Sequence, residues 1–105
     1  MPAADLADVA ACAEDRPATP LHDAGDLARR LGLGRLLIKD ESERWGLNAF
    51  KITGVSYALD RFLSPGLEAR ARITRLVCAS AGNHGRAVAR AARERGLGCL
   101  VFLPD

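Results

Sequence analysis

The sequence predicts an α/β fold built on a parallel sheet, and two observations carry that prediction. Short apolar runs alternate with amphipathic stretches, in the order expected of strands joined by crossover helices. A glycine-bearing turn, "AGNHG", also stands between an apolar run and a strongly patterned helix, and parallel α/β folds bind their ligands at such turns. With 105 residues, the chain is at most one small domain.

The elements follow in order. "AADLADVAACAED" is alanine-rich, with Leu6, Val9 and Ala13 at helical spacing. "RPATPL" ends it, because its two prolines interrupt a helix and favour extended backbone. "DAGDLARRLGLG" predicts a short amphipathic helix, with Leu27 and Leu31 on one face and Gly32 or Gly34 as its stop. "LGLGRL" lacks a third glycine and precedes a strand, so it is a helix stop rather than a phosphate loop.

"RLLIKDES" then holds a buried strand, Leu36 to Ile38. Residues 49 to 63 form a second helix, with Ala49, Ile52, Tyr57 and Leu59 among its apolar positions. "SPGLEAR" breaks it, and Leu67 to Arg72 can form another turn or two. "RLVCAS" is a second strand, "AGNHG" a tight loop, "RAVARAARERG" a patterned helix and "CLVFLPD" a third strand. The expected arrangement is a three-layer parallel sheet with helices on its faces. Such sheets need both faces covered, yet only three strands are visible and no helix follows Leu103. The expectation is a truncated part of a domain.

Composition narrows the partners. Apolar residues make up 49% and charged residues 27%, as in ordinary soluble domains. The net charge is +2 and acidic and basic residues alternate at helical spacing, so no basic face for nucleic acid is expected. No apolar run is long enough to span a membrane, and no basic start precedes an apolar core. The 3 cysteines, Cys12, Cys78 and Cys99, are odd in number and contain no CxxC pair. That pattern predicts neither disulfides nor a metal site and points to the cytoplasm. Cys78 and Cys99 sit in apolar strands and are expected in the core.

Two stretches can carry chemistry. In "GLNAFKITGVSYAL", Lys51 follows the apolar pair Ala49-Phe50 and opens a largely apolar helix. Its ammonium can snorkel to water, or its amine can have a chemical task. In "SAGNHG", a helix N-terminus beyond a strand offers backbone N–H groups and a positive dipole end to a carboxylate or phosphate. Gly82 and Gly85 allow close approach of a ligand, and Asn83 can donate and accept hydrogen bonds. The same residues are also good turn and cap formers. His84 has the same two readings, as a base or as a capping and framing residue beside the helix dipole.

Together, "DESERWGLNAFKITGVSYAL" and "SAGNHGRAVARAA", with "TPL" at 19 to 21, resemble the N-terminal part of the fold-type II pyridoxal-phosphate enzymes. That group has the tryptophan synthase β-like fold and includes threonine dehydratase, threonine synthase and cysteine synthase. Within it, "GLNAFK" and "GNHGRAVA" are most similar to the diaminopropionate ammonia-lyases, over roughly residues 17 to 105.

The resemblance implies that pyridoxal 5'-phosphate is the cofactor and that Lys51 forms the Schiff base with its aldehyde. Partial burial would then lower the lysine pKa and free the amine to act as nucleophile and base. It also implies that Asn83 hydrogen-bonds the cofactor's ring hydroxyl, while Ser80, Gly82, His84 and Gly85 frame the substrate carboxylate. Residues 1–105 would be a partial N-terminal cofactor-binding catalytic domain of a homodimeric enzyme. The reaction implied is loss of ammonia from a small amino acid, 2,3-diaminopropionate, giving pyruvate. A threonine or serine dehydratase would use the same residues to expel water, and a truncated remnant would keep the loop without catalysis.

Parts of the pattern are missing. The glycine-rich loop for the cofactor phosphate and the polar partner of the pyridine nitrogen fall later in such chains. Ala81 stands where the ammonia-lyase motif carries an aspartate, the group associated there with proton removal from the D-substrate.

Overall fold

A computed structural model describes residues 6–63 and 73–104. The predicted helix over 67–72 lies outside the described residues. Among the described residues there are four α-helices, α1 (Leu6–Ala11), α2 (Gly25–Arg30), α3 (Lys51–Leu63) and α4 (Asn83–Glu94), and one 3-10 turn, Arg44–Gly46. The α-helices alternate with strands β1 (Leu21–Asp23), β2 (Leu37–Lys39), β3 (Arg75–Ala79) and β4 (Gly98–Phe102).

The α/β class holds, but the described strands form two sheets of two strands each. β3 and β4 pair in parallel, with Val77 opposite Leu100 and Ala79 opposite Phe102, and α4 is the crossover between them. The run expected as the first parallel strand pairs instead antiparallel with β1, with His22 opposite Ile38. Both strands are three residues long, too short for apolar pattern alone to reveal a partner. The extended backbone imposed by the prolines at 17 and 20 supplies one.

A polar clasp locks this small sheet. Thr19 is buried and its hydroxyl donates to Glu41 Oε1 at 2.7 Å. Arg44 grips both Glu41 oxygens, at 2.5 and 2.6 Å, and also reaches Thr19 Oγ1 at 3.1 Å. Lys39 donates to the Thr19 carbonyl.

The core lies between α3 and α4. Trp45, Ile52, Ala87 and Ala91 form its centre, with Ala13, Leu47, Val55 and Leu59 packed around them. The residues that α4 contributes, Ala87 and Ala91, are small, which lets the larger side chains of α3 pack directly against its backbone. α4 presents a buried stripe of Ala87, Val88, Ala91 and Ala92, the spacing of one helical face. Arg95 fastens the pair, donating to the Ser56 carbonyl at 3.4 Å and to Asp60 at 2.5 Å. Arg61 bonds Asp8 at 2.8 Å and ties α1 to α3.

Two cysteine expectations need correction. Cys78 is only half-buried and Cys99 is exposed. β4 pairs on one side alone among the described residues, which leaves its outer edge open.

Candidate active site

The loop into α3 turns sharply through left-handed backbone at Trp45 (φ 50°), Gly46 (φ 68°) and Asn48 (φ 59°). Burying Trp45 in the core, with Arg16 stacked 4.9 Å above its ring, holds the strained turn in place. Ala49 is buried, so the chain enters α3 from an anchored point and Lys51 is its first helical residue. Lys51 is exposed, contrary to the partial burial expected for it. It opens the helix on the turn before the buried Ile52, and its ammonium has no partner among the described residues. The other lysine of the chain, Lys39, is engaged in the clasp.

The second stretch differs from a simple loop. α4 begins at Asn83, so Asn83, His84 and Gly85 form its first turn. Ser80 explains the early start. Its hydroxyl oxygen accepts the Gly85 N–H at 3.0 Å and the Gly82 N–H at 3.2 Å, satisfying donors that a helix start otherwise leaves open. The Gly82 and Gly85 amides expected to frame a carboxylate are therefore already engaged by Ser80. The amides of Asn83 and His84, at the head of α4, have no partner among the described residues.

The two glycines are small for different reasons. A Cβ on Gly85 would lie 3.0 Å from Val101 Cγ1 and 3.1 Å from the Ser80 carbonyl oxygen. Gly85 thus seats the helix on the strand ends. A Cβ on Gly82 would meet nothing within 4 Å, so packing does not demand glycine there, whereas a ligand approaching the backbone would. Ser80, Ala81, Gly82, Gly85 and Arg86 line an open depression of about 250 Å³ with Val101 and Leu103. Ala81, Asn83 and His84 are exposed.

Arg86, which no motif singled out, joins the two stretches. It donates to the Leu47 carbonyl at 3.0 Å and to Asn83 Oδ1 at 3.3 Å. The loop that delivers Lys51 is thereby tied to the helix start that presents Asn83. Contacts between residues 39 apart in the chain leave no trace in local spacing. The clasp did have a signal, since Glu41 and Arg44 stand at i,i+3.

A free primary amine suits a carbonyl, an exposed carboxamide suits a ring oxygen, and an open helix start suits an anion. With the crossover of β3, α4 and β4, they give an α/β arrangement whose exposed groups match a carbonyl compound and an anion in kind. The family model for pyridoxal-phosphate dependent enzymes matches residues 14–105, and the chain belongs to that family. Its fold is that of the fold-type II members.

Diaminopropionate ammonia-lyase of Salmonella typhimurium is 42% identical over 82% of this chain and 26% of its own length. A biosynthetic L-threonine dehydratase of Pasteurella multocida is 38% identical, over 83% of this chain and 16% of its own. Among solved structures, the Escherichia coli diaminopropionate ammonia-lyase in complex with an aminoacrylate-PLP azomethine reaction intermediate superimposes with a TM-score of 0.81. It is 32% identical and is matched by 100% of this chain, over 30% of that one. The chain spans about a quarter of the length of the curated ammonia-lyases it matches.

Proposed function

We propose that this chain is an N-terminal portion of the cofactor-binding catalytic domain of a pyridoxal-phosphate-dependent ammonia-lyase. The substrate is a small amino acid, 2,3-diaminopropionate, and the products are pyruvate and ammonia. The observation that carries the reading is the loop leading to Lys51, tied by Arg86 through the Leu47 carbonyl to the open first turn of α4. The identity to ammonia-lyases over most of the chain gives it a substrate.

In this reading Lys51 holds the cofactor through its amine and Asn83 holds the ring oxygen. The bound cofactor supplies an electron sink for the substrate Cα. The N–H groups of Asn83 and His84 receive the substrate carboxylate, with Ser80 and Gly85 keeping that turn in shape. Once the substrate amine takes its place on the cofactor, Lys51 Nζ would be free to take the Cα proton, the β-amino group would leave as ammonia, and water would release pyruvate and a second ammonia. The active protein is read as a cytoplasmic homodimer. Among the described residues no helix is long and apolar enough to cross a membrane.

The similarity to threonine dehydratase supports a second reading, in which the same residues expel water. Assays of the holoenzyme separate the two. Pyruvate from 2,3-diaminopropionate, well in excess of 2-oxobutanoate from threonine, is the expected result, and the reverse preference would establish the dehydratase.

A further inference from the structure

Arg86 is exposed and lies outside the core of Trp45, Ile52, Ala87 and Ala91. It nevertheless bonds both catalytic stretches. We propose that Arg86 is a positioning residue, fixing Asn83 as a hydrogen-bond donor and holding the Lys51 loop against the start of α4. This rests on the cofactor site proposed above.

The chemistry follows from what a guanidinium can do. It has five N–H donors and no acceptor, so the amide atom of Asn83 that faces it must be the oxygen. Arg86 Nη1 donates to that oxygen at 3.3 Å. An unrestrained carboxamide can flip and offer either end, whereas this one is committed to offering its NH₂ elsewhere. A phenolic oxygen on a pyridine ring is electron-rich and takes a donor, so the committed orientation is the productive one. The other arm of the fork reaches the Leu47 carbonyl at 3.0 Å, in the loop whose left-handed Gly46 and Asn48 turn the chain toward Lys51. A planar fork sets the separation of two acceptors in a way that a lysine ammonium cannot.

The test is a double-mutant cycle on the holoenzyme, reading the dissociation constant of pyridoxal phosphate by equilibrium dialysis alongside the thermal midpoint. Arg86→Met is expected to weaken binding about tenfold, the scale of one charge-assisted hydrogen bond, with little change in midpoint. In an Asn83→Ala background most of that loss should vanish, because the residue that Arg86 orients is gone. Arg86→Lys should also bind more weakly.

Equal losses in both backgrounds, unchanged affinity of Arg86→Met, full recovery by lysine, or a collapse of the midpoint would each overturn the proposal. A parent protein that binds no pyridoxal phosphate would overturn the site reading itself, and that outcome appears before any substitution is made.

Discussion

At the residue scale, Ala81 sets a stereochemical expectation. It is exposed beside the depression at the head of α4, and its methyl group accepts no proton. The two enantiomers of an amino acid present the Cα proton to opposite faces of a planar cofactor, so one base does not readily serve both. With Lys51 as the proposed base on one face, the holoenzyme is expected to prefer L-2,3-diaminopropionate. Loss of a general base costs about 10²- to 10⁴-fold, and the preference should lie in that range. Ala81→Asp is expected to raise turnover of the D-isomer. Comparable rates on the two isomers before substitution would show a base elsewhere.

Local sequence made Lys51 and Asn83 candidates, because a lysine beside apolar residues and a glycine-flanked helix start are local features, and the family resemblance gave them their proposed roles. Ser80 was legible as part of the loop but not as its cap. That role depends on its Oγ reaching back from the N–H groups of Gly82 and Gly85. Arg86 stands inside "GNHGRAVA", but its bonding role was not legible, because its partner Leu47 is distant in the chain.

At the element scale, the clasp around β1 and β2 carries a pH signature. Bonds from Arg44, then Thr19, hold the Glu41 carboxyl far below its ordinary 4.5, at about 2. A depressed carboxyl contributes its full stability above the ordinary value and loses it as pH falls through the folded value. The clasp should therefore weaken between about pH 4.5 and pH 2. Glu41→Gln is expected to cost about 1–3 kcal/mol at neutral pH, since it leaves the half-buried Arg44 without its anion. It should also flatten the acid limb of stability. Urea unfolding of both proteins across that pH range checks this, and an unchanged acid limb would count against the clasp.

The same element shows where pattern reading stopped. The strand predicted at Leu36 to Ile38 is extended over Leu37–Lys39, but its residues are exposed rather than buried. Its partner was not predicted, because a three-residue strand carries no register of its own and the pairing comes from the "TPL" segment folding back. By contrast, α4 was legible through its alanine stripe, and β3 and β4 through apolar runs placed on either side of it.

On the scale of the whole molecule, the described fold covers one face of its parallel sheet. Val77 is 59% exposed and Phe102 57%, and these neighbours lie on strands that α4 covers from the other side. The radius of gyration is 17.4 Å, against about 13 Å for a compact domain of this size. Apolar surface of this kind seeks a cover. Residues 1–105 alone are therefore expected to bind a hydrophobic dye, to associate, and to show no lyase turnover. Sedimentation with a dye-binding assay checks this; a monomeric, dye-silent and active preparation would contradict it.

The central claim is that Lys51 carries the cofactor, and reduction of the holoenzyme with borohydride followed by peptide mapping tests it most directly. Only two lysines, Lys39 and Lys51, occur in these 105 residues, and Lys39 is already committed to the Thr19 carbonyl. The expected result is a pyridoxyl adduct on Lys51, abolished by Lys51→Ala. An adduct on Lys39, or on a lysine outside this chain, would contradict it.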